Sequence, residues 1–255
     1  MTKKTEKIEK EEIAKFDIEQ MAQAGLHFGH RSSKVHPKMK PYIFGVRNGV
    51  HIIDLEKTKE KLQEVLDFIK TLIAENKILL MVGTKIQIKD LVVKTAKDCG
   101  FPYVSERWLG GTFTNFGAFI KRIDYYKNQE KQREIGEWEK YTKKERAKFS
   151  KELKDLDIKF SGIKNLPRLP DAIFVCDMKT DKLAVHEAKM KGIKIIGIAD
   201  TNIDPGQADL FVPANDDAVS SVRYILESIK EAVLEAKSKI PNIKSLPAGE
   251  AGEAK

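Results

Sequence analysis

The stretch Ser105-Glu-Arg-Trp-Leu-Gly-Gly-Thr-Phe-Thr-Asn115 divides the chain into two kinds of sequence. A short strand, Pro102 to Ser105, should end where it begins. The pair Gly110-Gly111 marks a tight backbone path, and Thr114 and Asn115 are good helix caps. Beyond it, Gly117 to Lys159 reads as charged helix with little apolar periodicity, carrying 13 basic and 9 acidic residues. Before the loop, and again after Leu166, apolar runs alternate with helical patterns.

Ile78 to Val82 is a continuous apolar run of the kind a strand buried on both faces needs. With Pro102–Ser105, Asp171–Cys176, Ile193–Ala199 and Leu210–Val212 it makes five strands. Helices follow or separate them: one ending at Lys97, then Leu183–Lys191 and Ala218–Ala236. This alternation predicts an α/β protein, a flavodoxin-like doubly wound parallel sheet of about five strands. The charged segment reads as an inserted antiparallel helical hairpin. Thr142-Lys-Lys-Glu145 fits a capping box for its second helix. Ile120, Ile123, Tyr126 and Ile135 on the first helix would face Phe149, Leu153 and Leu156 on the second. With so thin a seam, the hairpin should project, contribute little to the sheet core, and leave an α/β domain able to fold without it.

Near the start, Asp17 should cap a helix from Ile18 to Ala24 that Gly25 ends. The runs Tyr42–Val46 and Val50–Leu55 flank Arg47-Asn48-Gly49, a strong hairpin signal. A helix from Glu56 to Glu75 follows, with Leu62, Val65, Leu66, Ile69, Leu72 and Ile73 on one face. The expected organisation is a mobile extension over 1–15, the first part of the α/β domain over 16–116, and the hairpin over 117–160. The second part follows over 161–238, then a disordered tail over 239–255.

The chain carries 46 Lys and Arg against 38 Asp and Glu, a formal net charge of +8. That excess favours a polyanionic partner, nucleic acid before an anionic membrane. Cys99 and Cys176 have no motif spacing, no run approaches a membrane span, and the N-terminus lacks an apolar leader, so a reduced cytoplasmic location is expected.

Four of the five histidines, His27, His30, His36 and His51, lie in one stretch with Arg31, Lys34, Lys38, Lys40 and Arg47. Zinc is a poor match, because no cysteine is near, the nearest carboxylate in sequence is Asp54, and the cations would repel a metal. An irregular basic segment that touches RNA phosphates fits better. Lys85 and Arg107, in loops after strands, join the candidate RNA contacts, while Trp108, Gly110 and Gly111 read as the anchor of their loop. Gly83-Thr84-Lys85 and Gly110-Gly111 resemble phosphate loops but lack both GxxxxGK[ST] and GxGxxG, though either backbone could nest an anion. Asp200, Asp204 and Asn215-Asp-Asp217 fall at strand ends and read as turns and caps, although paired acids there could hold Mg²⁺. No nucleophile, base and orienting group accompany them, so no catalytic residue, metal or cofactor is expected. The competing reading is a nucleotide-binding enzyme of the flavodoxin or Rossmann class, or a regulatory module.

Several strings carry a closer resemblance: Ala24–His30, Pro37-Lys-Met39 with Tyr42-Ile-Phe44, and Arg47–Asp54. Arg107–Asn115, Leu169-Pro-Asp-Ala172, Asp200–Pro205 and Asn215–Asp217 continue it. In order and over about residues 16 to 236, they resemble the bacterial ribosomal protein S2 family; Val35-His36 stands where that family usually has Trp-Asn. The resemblance implies a structural component of the small ribosomal subunit, contacting its rRNA between head and body. It also implies neighbouring ribosomal proteins as partners, S1 among them, whose docking it would assist. Neither a membrane nor a stand-alone homo-oligomer is implied.

Overall fold

The computed structural model describes residues 17–239. The extension expected over 1–15 lies outside the described residues, as does the expected tail apart from Lys239, which ends the last helix.

Among the described residues, eight strands form two sheets. β4 (Leu79–Val82), β5 (Tyr103–Val104), β6 (Ala172–Val175), β7 (Lys194–Ala199) and β8 (Leu210–Pro213) make a parallel sheet in the order β5-β4-β6-β7-β8. Renumbered along that sheet the order is the doubly wound 2-1-3-4-5, and its switch point lies between β4 and β6. Alternate side chains serve opposite faces: Leu79 and Met81 enter one buried cluster, Leu80 and Val82 the other. The first cluster is covered by α1 (Ile18–Gln23), α2 (Leu55–Ala74), α3 (Lys89–Cys99) and α7 (Val219–Lys239). The second is covered by α4 (Phe116–Glu134), α5 (Lys143–Phe160) and α6 (Lys182–Met190).

Local signals set most boundaries. Asp17 accepts from the Glu19 amide, Asp54 from the Glu56 amide, and the Thr142–Glu145 capping box is formed in both directions. The expected strand over 102–105 is shortened to two residues, because the next segment leaves the sheet. Gly162 then returns past this edge strand so closely that a Cβ there would overlap the Tyr103 carbonyl oxygen.

The second sheet joins β1 (Phe28–Arg31), β2 (Ile43–Arg47) and β3 (Val50–Ile53), antiparallel in the order β1-β3-β2. Asn48 and Gly49, at φ 51° and 75°, form the hairpin turn, both in the left-handed region. Two details differ from the sequence reading. Tyr42 ends a 3-10 turn over Pro37–Tyr42 instead of starting a strand, because two prolines shape that segment. β1 is an additional strand, and a Cβ on its Gly29 would press on Thr201, so glycine permits the small sheet to seat against the end of β7.

α4 and α5 pack on one another, with Ile123, Tyr126, Leu153 and Leu156 buried as expected and Phe149 partly buried. Ile135 instead is 66% exposed, and Phe119, Trp138 and Phe160 supply contacts that the sequence reading omitted. The Phe119 and Phe160 rings lie 5.5 Å apart within the cluster that also contains Leu80, Val82 and Ile173 of the sheet. The bases of these helices thus share the sheet's core, where the sequence reading gave the pair little part in it.

Candidate functional site

The carboxyl ends of β4, β6, β7 and β8 are where a fold of this order places ligands. Here that edge is filled with the protein's own charges. Lys85, directly after β4, reaches Asp217 at 2.6 Å, Asp177 at 3.3 Å and Asp216 at 3.7 Å. Burial, with the Asp177 and Asp200 charges near it, pushes the Asp216 carboxyl up to about 7, against the opposing pull of Lys85.

Both stretches that resembled phosphate loops hold internal carboxylates. After β4, Asp181 accepts from the Thr84 amide at 3.2 Å and the Thr84 hydroxyl at 2.8 Å. Burial nevertheless pushes Asp181 up to about 6. After β5, Glu187 accepts from the amides of Gly111 (2.8 Å), Phe113 (2.9 Å) and Thr114 (3.2 Å), and from the Trp108 indole (3.3 Å). Burial alone would raise this carboxyl, but those donors hold it below its ordinary value. Asp181 immediately precedes α6 and Glu187 lies within it, so one helix brings the carboxylates that close both would-be nests from inside. Trp108 is 6% exposed, set edge-on to Phe113 with ring centres 4.8 Å apart. Gly111 has φ +92°, a conformation that would strain any other residue, while Gly110 is exposed.

The histidines separate. His30 Nδ1 lies 2.9 Å from Asp200 Oδ2, and its Nε2 lies 3.6 Å from Asp217 Oδ2. The hydrogen bond to Asp200 raises its pKa against the opposing effect of burial. One imidazole and two carboxylates with ligand atoms all within 4.8 Å of one another could hold a divalent cation. Asp54 therefore is not the carboxylate that matters to these histidines: the fold carries Asp200 to His30 across 170 residues. Asp204 stands apart, bonded to Lys38 at 2.9 Å. His36 caps the 3-10 turn, and both ring nitrogens of the buried His51 lack a hydrogen-bond partner among the described residues.

Of the candidate RNA contacts, Arg31, Lys34, Lys38, Lys40, Arg47 and Arg107 are exposed, and all but Lys38 make no ion pair with a described residue. Strand register sets Arg31 and Arg47 on either side of Val50, at one end of the small sheet. Lys85 differs, since its ammonium is shared among three aspartates. Sequence reasoning missed Asp181 and Glu187. The one available signal was that Glu187 lies among Ala184, Val185 and Ala188 on the buried side of α6.

The phosphate-binding positions of this doubly wound sheet are thus occupied by the protein's own carboxylates, and no described helix is long and apolar enough to cross a membrane. The chain belongs to the ribosomal protein S2 family, whose sequence model matches residues 21–236. It is therefore a ribosomal protein of the small subunit, with a structural part in translation.

Proposed function

We propose that the chain binds small-subunit rRNA between head and body, and that it helps to dock ribosomal protein S1. The observation that carries the RNA part is the exposed, unpaired set Arg31, Lys34, Lys40, Arg47 and Arg107, presented on short strands and loops where side chains reach phosphates. Each phosphate contact releases counterions, so neutralising one residue should reduce the salt slope of rRNA binding by about one unit. The test is the salt dependence of binding to purified small-subunit rRNA, for the unaltered chain and for variants with two, then four, of these residues changed to Ala. A slope that stays constant across the series would sink the assignment.

The docking part is supported by the small sheet. Phe28, Phe44 and Val46 are 49%, 81% and 56% exposed and border a groove of about 710 Å³. An apolar face of this kind is costly to leave in water and suits a protein partner. Phe44→Ser should lower retention of S1 on washed subunits while leaving rRNA binding unchanged. The helical pair reads as an arm giving a second point of attachment to the subunit, in the cytoplasm.

A further inference from the structure

A second groove, of about 320 Å³, lies where the Gly110-Gly111 loop meets the bases of α4 and α5. Its apolar part is formed by Leu109, Phe119, Leu156 and Phe160, and Arg122 and Lys159 stand among its lining residues. No carboxylate lines it, and neither cation makes an ion pair with a described residue. Ala118 and Arg122 also line a neighbouring depression of about 390 Å³, which adds Lys121 and Tyr125. The carboxylate there, Glu152, already accepts the Tyr125 hydroxyl at 3.0 Å.

We propose that this groove holds one unpaired nucleotide of RNA, its base on the apolar part and its flanking phosphates on Arg122, Lys159 and Lys121. The proposal rests on the RNA-binding reading above and deepens it with a place and a kind of RNA. Charge complementarity selects the occupant, because an apolar slot bordered by uncompensated cations matches a planar base joined to phosphates. An apolar peptide would leave those cations unanswered. In a duplex the bases are stacked and paired, and only splayed bases offer a face to such a slot. Contact with a base face is tolerant of sequence, so the groove selects single-stranded geometry over a particular base.

The experiment uses the full chain and two probes, a fluorescein-labelled uridine decamer and a duplex RNA of equal length, with purified small-subunit rRNA as a third ligand. Ala118→Trp fills the groove without altering charge, and Arg122→Ala with Lys159→Ala removes the cations; all three positions are exposed. Thermal unfolding verifies that both variants are folded. The expected result is that Ala118→Trp weakens decamer binding at least about tenfold and leaves duplex binding unchanged. The double variant should weaken the decamer to a similar degree. Equal decamer binding by Ala118→Trp and the unaltered chain would overturn the groove while leaving rRNA binding through Arg31, Arg47 and Arg107 intact. Failure of the unaltered chain to bind rRNA would overturn the RNA reading and the groove together.

Discussion

The Glu187 carboxylate and the Gly111 amide, 76 residues apart in the chain, meet at 2.8 Å. With the Phe113 and Thr114 amides and the Trp108 indole, this contact makes one buried carboxylate the fastening of the whole loop after β5. A fold that elsewhere presents such amides to a phosphate has satisfied them internally, so the Gly111, Phe113 and Thr114 amides form no phosphate nest.

Glu187→Gln should therefore be severe despite its near-identical shape. It places an amide NH₂ against N–H donors and removes the charge they stabilise, so a loss of roughly 3 kcal/mol or more is expected. The Glu187 pKa is held below its ordinary 4.5, so its contribution is present above that pH and is lost as pH falls through the lower folded value. Thermal unfolding followed from pH 7 to pH 3 should show a smaller acid-induced loss in the variant. An unchanged melting temperature at pH 7 would contradict the fastening role.

Asp181→Asn should act in the opposite direction. The folded pKa of about 6, against an ordinary 3.8, means that the folded state binds the proton more tightly than the unfolded chain. The group's contribution to stability thus declines as pH rises from about 4 to 6 and stays low above that range. A neutral side chain of the same shape should gain roughly 2 kcal/mol at pH 7 and flatten that part of the profile. A variant less stable than the unaltered protein at pH 7 would show that the bonds to Thr84 outweigh the burial of charge.

Lys85→Met separates an internal lysine from a surface one. Its removal leaves Asp177, Asp216 and Asp217 facing one another without their cation, for a loss of about 3 kcal/mol. The salt slope of rRNA binding should not change, in contrast to Arg47→Ala. A reduced slope with unaltered stability would return Lys85 to the phosphate-contacting set.

Two deletions divide the helical pair. Tyr125 bonds Glu152 across it, so residues 127–151 can be replaced by a short Gly/Ser linker with that bond and the helix bases retained. That variant should unfold cooperatively near the temperature of the unaltered chain. Replacing 118–159 removes Phe119, Ile123 and Leu156 from the buried cluster and should cost well over the ~3 kcal/mol of a single large truncation. Equal stability of the two variants would show that the helix bases add nothing to the core.

Where periodicity was strong, the sequence carried the fold. The β4 run, the face of α2 and the Asn48-Gly49 turn are each dictated within a few residues. β1 was hidden because its four residues include Gly29, whose use depends on Thr201, a partner far along the chain. The candidate site was legible only as separate pieces. His30, Asp200 and Asp217 share no sequence neighbourhood; the parallel sheet brings the Asp200 and Asp217 loops to one edge, and the small sheet sets His30 of β1 against them. For Asp181 and Glu187 the sequence displays the acids but not the amides they would meet, so their loops read as open nests.

The pairing of β4 with β6 also has a consequence in time. Ile78 donates its amide to Asp171, 93 residues later, and Leu79 lies beside Ala172 at the centre of the sheet. At synthesis rates of about 5–20 residues per second, β4 waits on the order of five to twenty seconds for that neighbour. During that interval α4 and α5 can pack on one another, while β4 has only β5 beside it. The centre of this sheet is thus completed only after both helices of the intervening pair have been synthesised.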